Sequence, residues 1–264
     1  STVAYGWAFA RAVETALGVE PPRRALMLRA LMAELERLAN HLGDVGAICN
    51  DASFVLMHAQ TGILRERVLR ASARAFGHRL MMGRIVPGGV AADLPLEGLE
   101  AIRTVTTEIA RRMPALFELY DNTTSLQDRT VGTGFLSHAL ARRFGAGGFV
   151  GRASGRAFDA RRDLAYAPYP ALRFEVPVLI EGDVDARARI RLSEIGQTLS
   201  LIGQILGELP DGAVREALPA GAGEGLALVE GDRGDVLAWV RMEQGGRIGA
   251  CHLRDPSAFQ WPLL

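Results

Sequence analysis

Glu34, Arg37, His41, Asp44 and Asp51, with Ile48 between the last two, follow one another at steps of three and four residues. On a helix of 3.6 residues per turn that spacing lines them up in one row of carboxylates, a guanidinium and an imidazole. Leu31, Leu35, Leu38, Leu42, Val45 and Cys49 form an apolar band at the same steps, and it adjoins the charged row instead of lying opposite it. Two readings follow. The row is an amphipathic boundary with i,i+3 and i,i+4 ion pairs, each worth a few tenths of a kcal/mol. Alternatively, acid, base and imidazole are held beside a core, where desolvation and mutual charge tune their protonation. Periodicity does not choose between them.

A second set of charged residues lies at Arg152, Asp159 and Arg161, in a stretch that continues to Tyr166, Tyr169 and Phe174. It reads as an internal ion-pair network that holds an irregular loop, or as the lining of a buried polar chamber. The glycine-rich run Gly145 to Gly151 before it lacks the preceding strand and following helix that a phosphate-cradling loop needs. Cys251 and His252 fall on one expected strand and face opposite ways, so they do not ligate a metal together.

The elements that must position these groups are mostly helices. Thr2 to Leu17 reads as a helix capped by Gly18, and Pro21-Pro22 opens a second helix over Arg23 to Asp51, with a possible interruption at Gly43 or Gly46. Further helices are expected over Phe54 to Phe76, with Leu56, Ile63, Leu64, Val68 and Ala75 in the core, and over Leu96 to Asn122. Two short helices follow within Leu126 to Arg143, and a helix over Ala186 to Leu209 is capped by Asp183 or Asp185. Leu218 to Glu224 reads as a linker. Val236 to Glu243 and Arg247 to Leu253 form a β-hairpin about Gly245-Gly246. The fold class is mainly α, as residues 1–217 of helical core with a small β-hairpin region over 218–264 packed on it in one domain.

Composition narrows the function. Of 264 residues, 48% are hydrophobic, enough for a sizeable core, and 30 basic residues, all arginine, balance 30 acidic ones. No net field argues for nucleic acid. Two distant cysteines, Cys49 and Cys251, offer neither a disulfide framework nor a self-contained zinc or iron–sulfur site, so no metal site is expected in this segment. No run reaches the roughly 18 apolar residues of a membrane span, and the first residues do not read as a signal peptide.

Glu34-Leu35-x-Arg37-Leu38-x-x-His41-Leu42, with Gly46 and Asp51, resembles the long helix of the [NiFe]-hydrogenase large-subunit superfamily, which includes the 49 kDa, quinone-site subunit of respiratory complex I. The resemblance extends over nearly the whole chain, through Gly77-x-Arg79, Pro87-Gly88-Gly89-Val90, Asp93-Leu94-Pro95, Arg152-Ala153-Ser154-Gly155, Asp159-x-Arg161 and Val176-Pro177. Complex I often has arginine before this Pro-Gly-Gly. Here the residue is Val86, and Asn50-Asp51 and His78 to Met82 also lean toward the formate-hydrogenlyase type of energy-converting hydrogenase.

The resemblance implies a bundle of long helices and redox and proton chemistry, with Asp51 and His41 as the residues nearest to it. Glu34, Arg37, Asp44, Arg79, Arg152, Asp159 and Arg161 would surround the chamber. The superfamily's nickel–iron centre is held by two CxxC pairs, neither of which is in this chain. The expectation is an internal segment whose full-length subunit carries that centre if both pairs flank it, and otherwise works on quinone as the 49 kDa subunit of an NAD-linked NADH:quinone oxidoreductase. A non-catalytic scaffold is the third possibility. The expected partners are a small iron–sulfur subunit and membrane-arm subunits, with no nucleic acid and no membrane span of its own, at the inner, cytoplasmic face of a membrane. By register Asp51 takes the place of an aspartate near the quinone chamber. At a helix C-terminus it faces the negative end of the macrodipole, which disfavours its ionised form, while capping of the next helix at Ser53-Phe54 is the plainer alternative.

Overall fold

Gly18, in the left-handed conformation (φ 66°, ψ 35°), closes helix α1, Thr2–Leu17, and α2 begins after Pro22 and runs unbroken from Arg23 to Asp51. At 1.5 Å per residue α2 spans roughly 40 Å. Neither Gly43 nor Gly46 interrupts it, and Gly46 lets α3, Val55–Phe76, approach closely: a Cβ there would stand 2.3 Å from Thr61 Oγ1. The structure, a computed structural model, describes residues 1–263.

The apolar band of α2 is fully buried, from Leu31 to Cys49, and forms the middle of the main core. The face of α3 that meets it carries Met57, Thr61, Leu64, Val68 and Ser72. Leu64, Val68 and Ala75 are core residues as expected, but Leu56 (51% exposed) and Ile63 (47%) are not, because the buried stripe of α3 runs one residue further round the helix. A two-stranded ribbon, β1 (Ile85–Val86) and β2 (Gly89–Val90), turns the chain through Pro87-Gly88 into α4, Leu96–Asp121. Ile102, Val105, Ile109, Met113 and Leu116 of α4 are all buried.

Short helices α5 (Thr124–Thr130) and α6 (His138–Arg143) follow, then α7 (Gly148–Ala153) and α8 (Ala160–Asp163), with a 3₁₀ turn at Tyr169–Ala171. The glycine-rich run therefore opens into a helix, contrary to expectation. Its glycines serve packing: Gly148, at φ 56°, lies so close to the backbone of Arg233 that a Cβ would come within 2.3 Å of it. Helix α9, Val184–Glu208, is capped by Asp183, whose Oδ1 accepts from Ala186 N at 2.8 Å while Oδ2 accepts from Gly132 N at 2.7 Å.

The expected C-terminal hairpin is present as β4 (Gly234–Glu243) and β5 (Arg247–Arg254), and β3 (Gly223–Gly231) adds a third antiparallel strand in the order β3-β4-β5. β3 starts inside the stretch expected to be a linker. Its glycines let it lie against α1: a Cβ at Gly225 would be 1.9 Å from Ala12 O. A short helix, α10 (Ser257–Gln260), and a 3₁₀ turn over Trp261–Leu263 end the described chain. No described helix is long and apolar enough to cross a membrane.

Candidate functional site

The charged row of α2 changes character along its length. Glu34, Arg37 and His41 are at most 1% exposed, Asp44 is half-buried, and Asp51 is exposed at the helix end. The row thus leads from the centre of the protein to its surface.

At the inner end, six of the sequence-identified residues meet in one buried cluster. Arg161 grips Asp159 with Nε (3.0 Å to Oδ1) and Nη2 (2.7 Å to Oδ2), and gives Nη1 to Glu34 Oε1 at 3.0 Å. Glu34 also accepts from Tyr169 Oη at 2.7 Å and Thr198 Oγ1 at 3.1 Å. Arg37 donates to the carbonyls of Gly231 and Glu230, each at 3.0 Å, and stands 3.5 Å from Glu34 Oε2. Arg152, at the end of α7, reaches Glu194 Oε1 with Nε at 2.7 Å and Glu230 Oε1 with Nη1 at 2.9 Å. The loop from Arg152 to Arg161 thus closes onto α2, α9 and β3 through its charges.

His41 Nε2 lies 2.6 Å from Glu194 Oε2, and its Nδ1 has no partner among the described residues. On one side Trp7, Tyr166, Tyr169 and Phe174 wall off the cluster in edge-to-face contacts, with ring centroids 5.4 Å apart for Trp7–Tyr166 and 5.2 Å for Tyr166–Tyr169.

Electrostatics separates the carboxylates. Burial would raise Glu194, yet the Arg152, His41 and Arg37 charges override it and hold Glu194 well below the usual carboxylate range. Asp159 is treated alike: burial raises it, and Arg161 with Arg152 brings it well down. Glu230 goes the other way, pushed up to about 7 by burial and by the charge of Asp159, with Arg152 and Arg37 only partly opposing.

At the outer end Asp44 and Asp51 line a cleft of about 300 Å³ with Ala47, Ile48, Phe149, Arg191, Arg233 and Trp261. The guanidinium of Arg191 stacks on Phe149, 3.4 Å from the ring centroid, with its Nε 3.4 Å from Asp44 Oδ2. Burial lowers Arg191 to about 10 while Asp44 and Glu194 pull it back up. Phe54 starts α3 without a side-chain cap, so Asp51 does not serve as one.

The structure therefore places Glu34, Arg37, His41, Arg152, Asp159 and Arg161 together, and Asp44 and Asp51 at the cleft. Arg79 belongs to neither. Its side chain is half exposed and pairs with Glu66 Oε2 at 2.7 Å beyond the end of α3, so it lines neither the cluster nor the cleft. Glu194, Glu230 and Arg191 are the members that sequence reasoning missed. For Glu194 and Arg191 a signal existed: Arg187, Arg191, Glu194 and Thr198 form a polar row at helical spacing on α9, mirroring the one on α2, and all four are buried.

Cys49 is buried in the core, with its thiol pushed up to about 12 by burial, and Cys251 is exposed on β5. Among the described residues no three His, Cys, Asp or Glu side chains gather as metal ligands. The residues of this chain therefore do not fit a nickel–iron centre or a cluster by themselves.

Residues 51–220 match the family described as the 49 kDa subunit of respiratory-chain NADH dehydrogenase. The chain is 30% identical over 97% of its length to the carbon monoxide-induced hydrogenase of Rhodospirillum rubrum, spanning 72% of that protein. It is also 30% identical over 99% of its length to formate hydrogenlyase subunit 5 of Escherichia coli, of which it spans 46%, less than half. The D subunit of the NADH-quinone oxidoreductase of Wolbachia pipientis is 29% identical over 94% of the chain and 71% of the relative. Among solved structures, a chain of the membrane-bound sulfane sulfur reductase, an archaeal respiratory membrane complex, superposes with a TM-score of 0.87 at 28% identity, over 95% of this chain and 70% of that one.

Proposed function

We propose that this chain, which belongs to the family of the 49 kDa subunit of respiratory-chain NADH dehydrogenase, is the central part of the catalytic large subunit of a membrane-associated, energy-converting [NiFe] hydrogenase of formate-hydrogenlyase type. The observation that carries this reading is the continuous row on α2, from a buried ion cluster at His41 to an exposed carboxylate, Asp51, in a cleft. A buried ion network is weak as a source of stability, because desolvation offsets its Coulomb energy. A graded one that ends in a cleft suits proton handling.

Within the cleft the chain's own residues divide the work. Asp51 exchanges protons at its carboxylate, Arg191 presents a desolvated positive charge to an anion, and Phe149 and Ile48 form the apolar side of the cleft. The nickel–iron centre would supply hydrogen activation when present. Its thiolate ligands would have to come from CxxC pairs beyond these 264 residues, since none occurs within them. The assignment to the hydrogenase branch is supported by the turn at Val86-Pro87-Gly88-Gly89. There Glu14 Oε1 accepts from Gly88 N at 2.8 Å, Arg29 donates to Val86 O at 2.8 Å and Gly89 O at 3.0 Å, and position 86 contributes an apolar side chain. An iron–sulfur subunit and membrane-arm subunits are the proposed partners, with the chain peripheral on the inner face of the membrane.

The test uses the intact protein in its native assembly. Nickel at about one per subunit and hydrogen-dependent dye reduction are expected. Absence of nickel together with quinone reduction would move the protein to the complex I branch and overturn the hydrogenase assignment.

A further inference from the structure

The guanidiniums and carboxylates around Arg152 do not balance. Three guanidiniums, Arg37, Arg152 and Arg161, face four carboxylates, Glu34, Asp159, Glu194 and Glu230, all seven at most 2% exposed. The buried imidazole of His41, the remaining group able to carry positive charge there, is engaged by Glu194 at 2.6 Å and makes no hydrogen bond to Glu230. An uncompensated buried charge is costly, so a group in such a site takes up a proton instead of remaining ionised. The hydrogen bonds indicate which carboxylate is least compensated. Asp159 has three bonds from Arg161, two from its guanidinium and one from its backbone N–H, Glu34 has Arg161, Tyr169 and Thr198, and Glu194 has Arg152 and His41. Glu230 has one charged donor, Arg152 Nη1, and one backbone N–H, from Ala160 at 2.9 Å. Arg37 lies close to it but spends Nη2 on the backbone carbonyl of Glu230 instead of its carboxylate.

We propose that this cluster is a proton-holding site that carries one exchangeable proton, seated on the Glu230 carboxyl. The charged and titratable groups about it are Glu34, Arg37 and His41 from α2, Arg152 from α7, Asp159 and Arg161 about α8, Tyr166 after it, Glu194 from α9, and Arg11, stacked on Tyr166 from α1, and of these Asp159, Arg152 and Arg37 act on it most strongly. The step is a proton transfer alone. Hydronium gives one proton to the carboxylate oxygen of Glu230, leaving water and a neutral carboxyl, and no electron moves. Arg152 links Glu230 directly to the Glu194–His41 pair, and Arg191, one turn from Glu194, continues to the cleft. The proton would thereby serve as a movable counter-charge for chemistry at Asp51, a use that rests on the redox reading above; the existence of the site does not.

Infrared difference spectra of the full protein between acidic and alkaline buffers test the site without any turnover. The carboxyl C=O band of a protonated side chain should disappear as the pH rises through about 7, and Glu230→Gln should abolish it. Glu194→Gln removes one negative charge from the cluster, bringing three guanidiniums against three carboxylates. The Glu230 band should then titrate at a proton concentration at least tenfold higher, which a carboxyl indifferent to the cluster would not do. If Glu230→Gln fails to fold, as judged by circular dichroism, the wild-type titration and its displacement in Glu194→Gln decide. A wild-type spectrum with no titrating carboxyl band, a band that survives Glu230→Gln, or one that Glu194→Gln leaves in place overturns the proposal. A band that behaves as expected in a protein without hydrogenase activity would leave the site standing and remove only the hydrogenase reading.

Discussion

Arg152 Nε stands 2.7 Å from Glu194 Oε1, joining the end of a six-residue helix to the middle of α9 deep in the protein. Arg152→Gln strips Glu194, Glu230 and Asp159 of a shared cation. Breaking a buried pair from one side costs about 3–5 kcal/mol, and urea unfolding should show a loss of that size. Arg152→Lys should recover little of it, because a point charge cannot make the forked contacts to Glu194 and Glu230 at once. Full recovery by lysine would mean that charge alone matters there.

Three glycines of the α2–α3–α4 layer separate packing from propensity. A Cβ at Gly98 would stand 2.5 Å from Ala75 Cα, a backbone atom that cannot swing aside, whereas a Cβ at Gly62 meets nothing within 4 Å. Gly98→Ala should therefore cost about 1–3 kcal/mol through overpacking, with Gly46→Ala, against Thr61 and His58, in the same direction. Gly62→Ala, in the interior of α3, should add about 0.5–1 kcal/mol. Thermal melts of the three variants check the order, and destabilisation by Gly62→Ala would contradict the described packing.

Glu230 also makes stability depend on pH. Its folded-state carboxyl is raised from 4.5 to about 7, so the folded chain binds more protons than the unfolded one in that interval. Its contribution is fully present below 4.5 and is lost as the pH rises through about 7, with a slope of at most about 1.4 kcal/mol per pH unit. Asp159 and Glu194, both depressed, act oppositely: their contribution is present above the ordinary carboxylate range and lost as the pH falls below it. Wild type minus Glu230→Gln stability, followed by denaturant titration from mildly acidic to mildly alkaline pH, should decline across the first window. A flat difference would refute it.

Much of this arrangement is legible in the sequence where one element carries a whole pattern. The two rows of α2 fall within 29 residues at fixed helical steps, and the structure buries the apolar row throughout and the charged row at its inner end. Tyr166 and Tyr169, conspicuous in a chain with 6% aromatic residues, prove to wall the cluster. Long-range pairing is not legible. Glu194 lies 153 residues from His41 in sequence, and nothing local to either residue announces the other. Glu230 lies in a strand whose Val229, Glu230 and Gly231 are all buried, so the alternation that marks a half-exposed strand is missing, and the glycines that let β3 approach α1 read as a linker. Arg79 enters the expected chamber by resemblance alone, and its actual partner, Glu66, is a surface residue.

Asp44 and Asp51 both reach the cleft, but only Asp44 has a buried cation to hold. Asp44→Asn leaves Arg191, 7% exposed, with its nearest carboxylate neutralised. The contact is Coulombic and Asp44 is 30% exposed, so the substitution should lower stability as well as turnover, by up to about 1 kcal/mol, measured as a shift in the melting transition. A melting temperature equal to that of wild type would show that the Arg191–Asp44 contact contributes nothing.

Proton chemistry at the exposed end of the α2 row makes hydrogen-dependent dye reduction by the intact assembly depend on Asp51, which the Asp51→Asn variant checks. Asp51 is exposed at a helix end and caps nothing, so the variant should melt with wild type, while turnover falls by about a hundredfold, the scale of a lost acid–base group. Asp211→Asn, an exposed aspartate on the loop after Pro210, should leave both unchanged. Turnover within twofold of wild type for both variants would rule out a proton-transfer role and leave Asp51 an ordinary surface carboxylate.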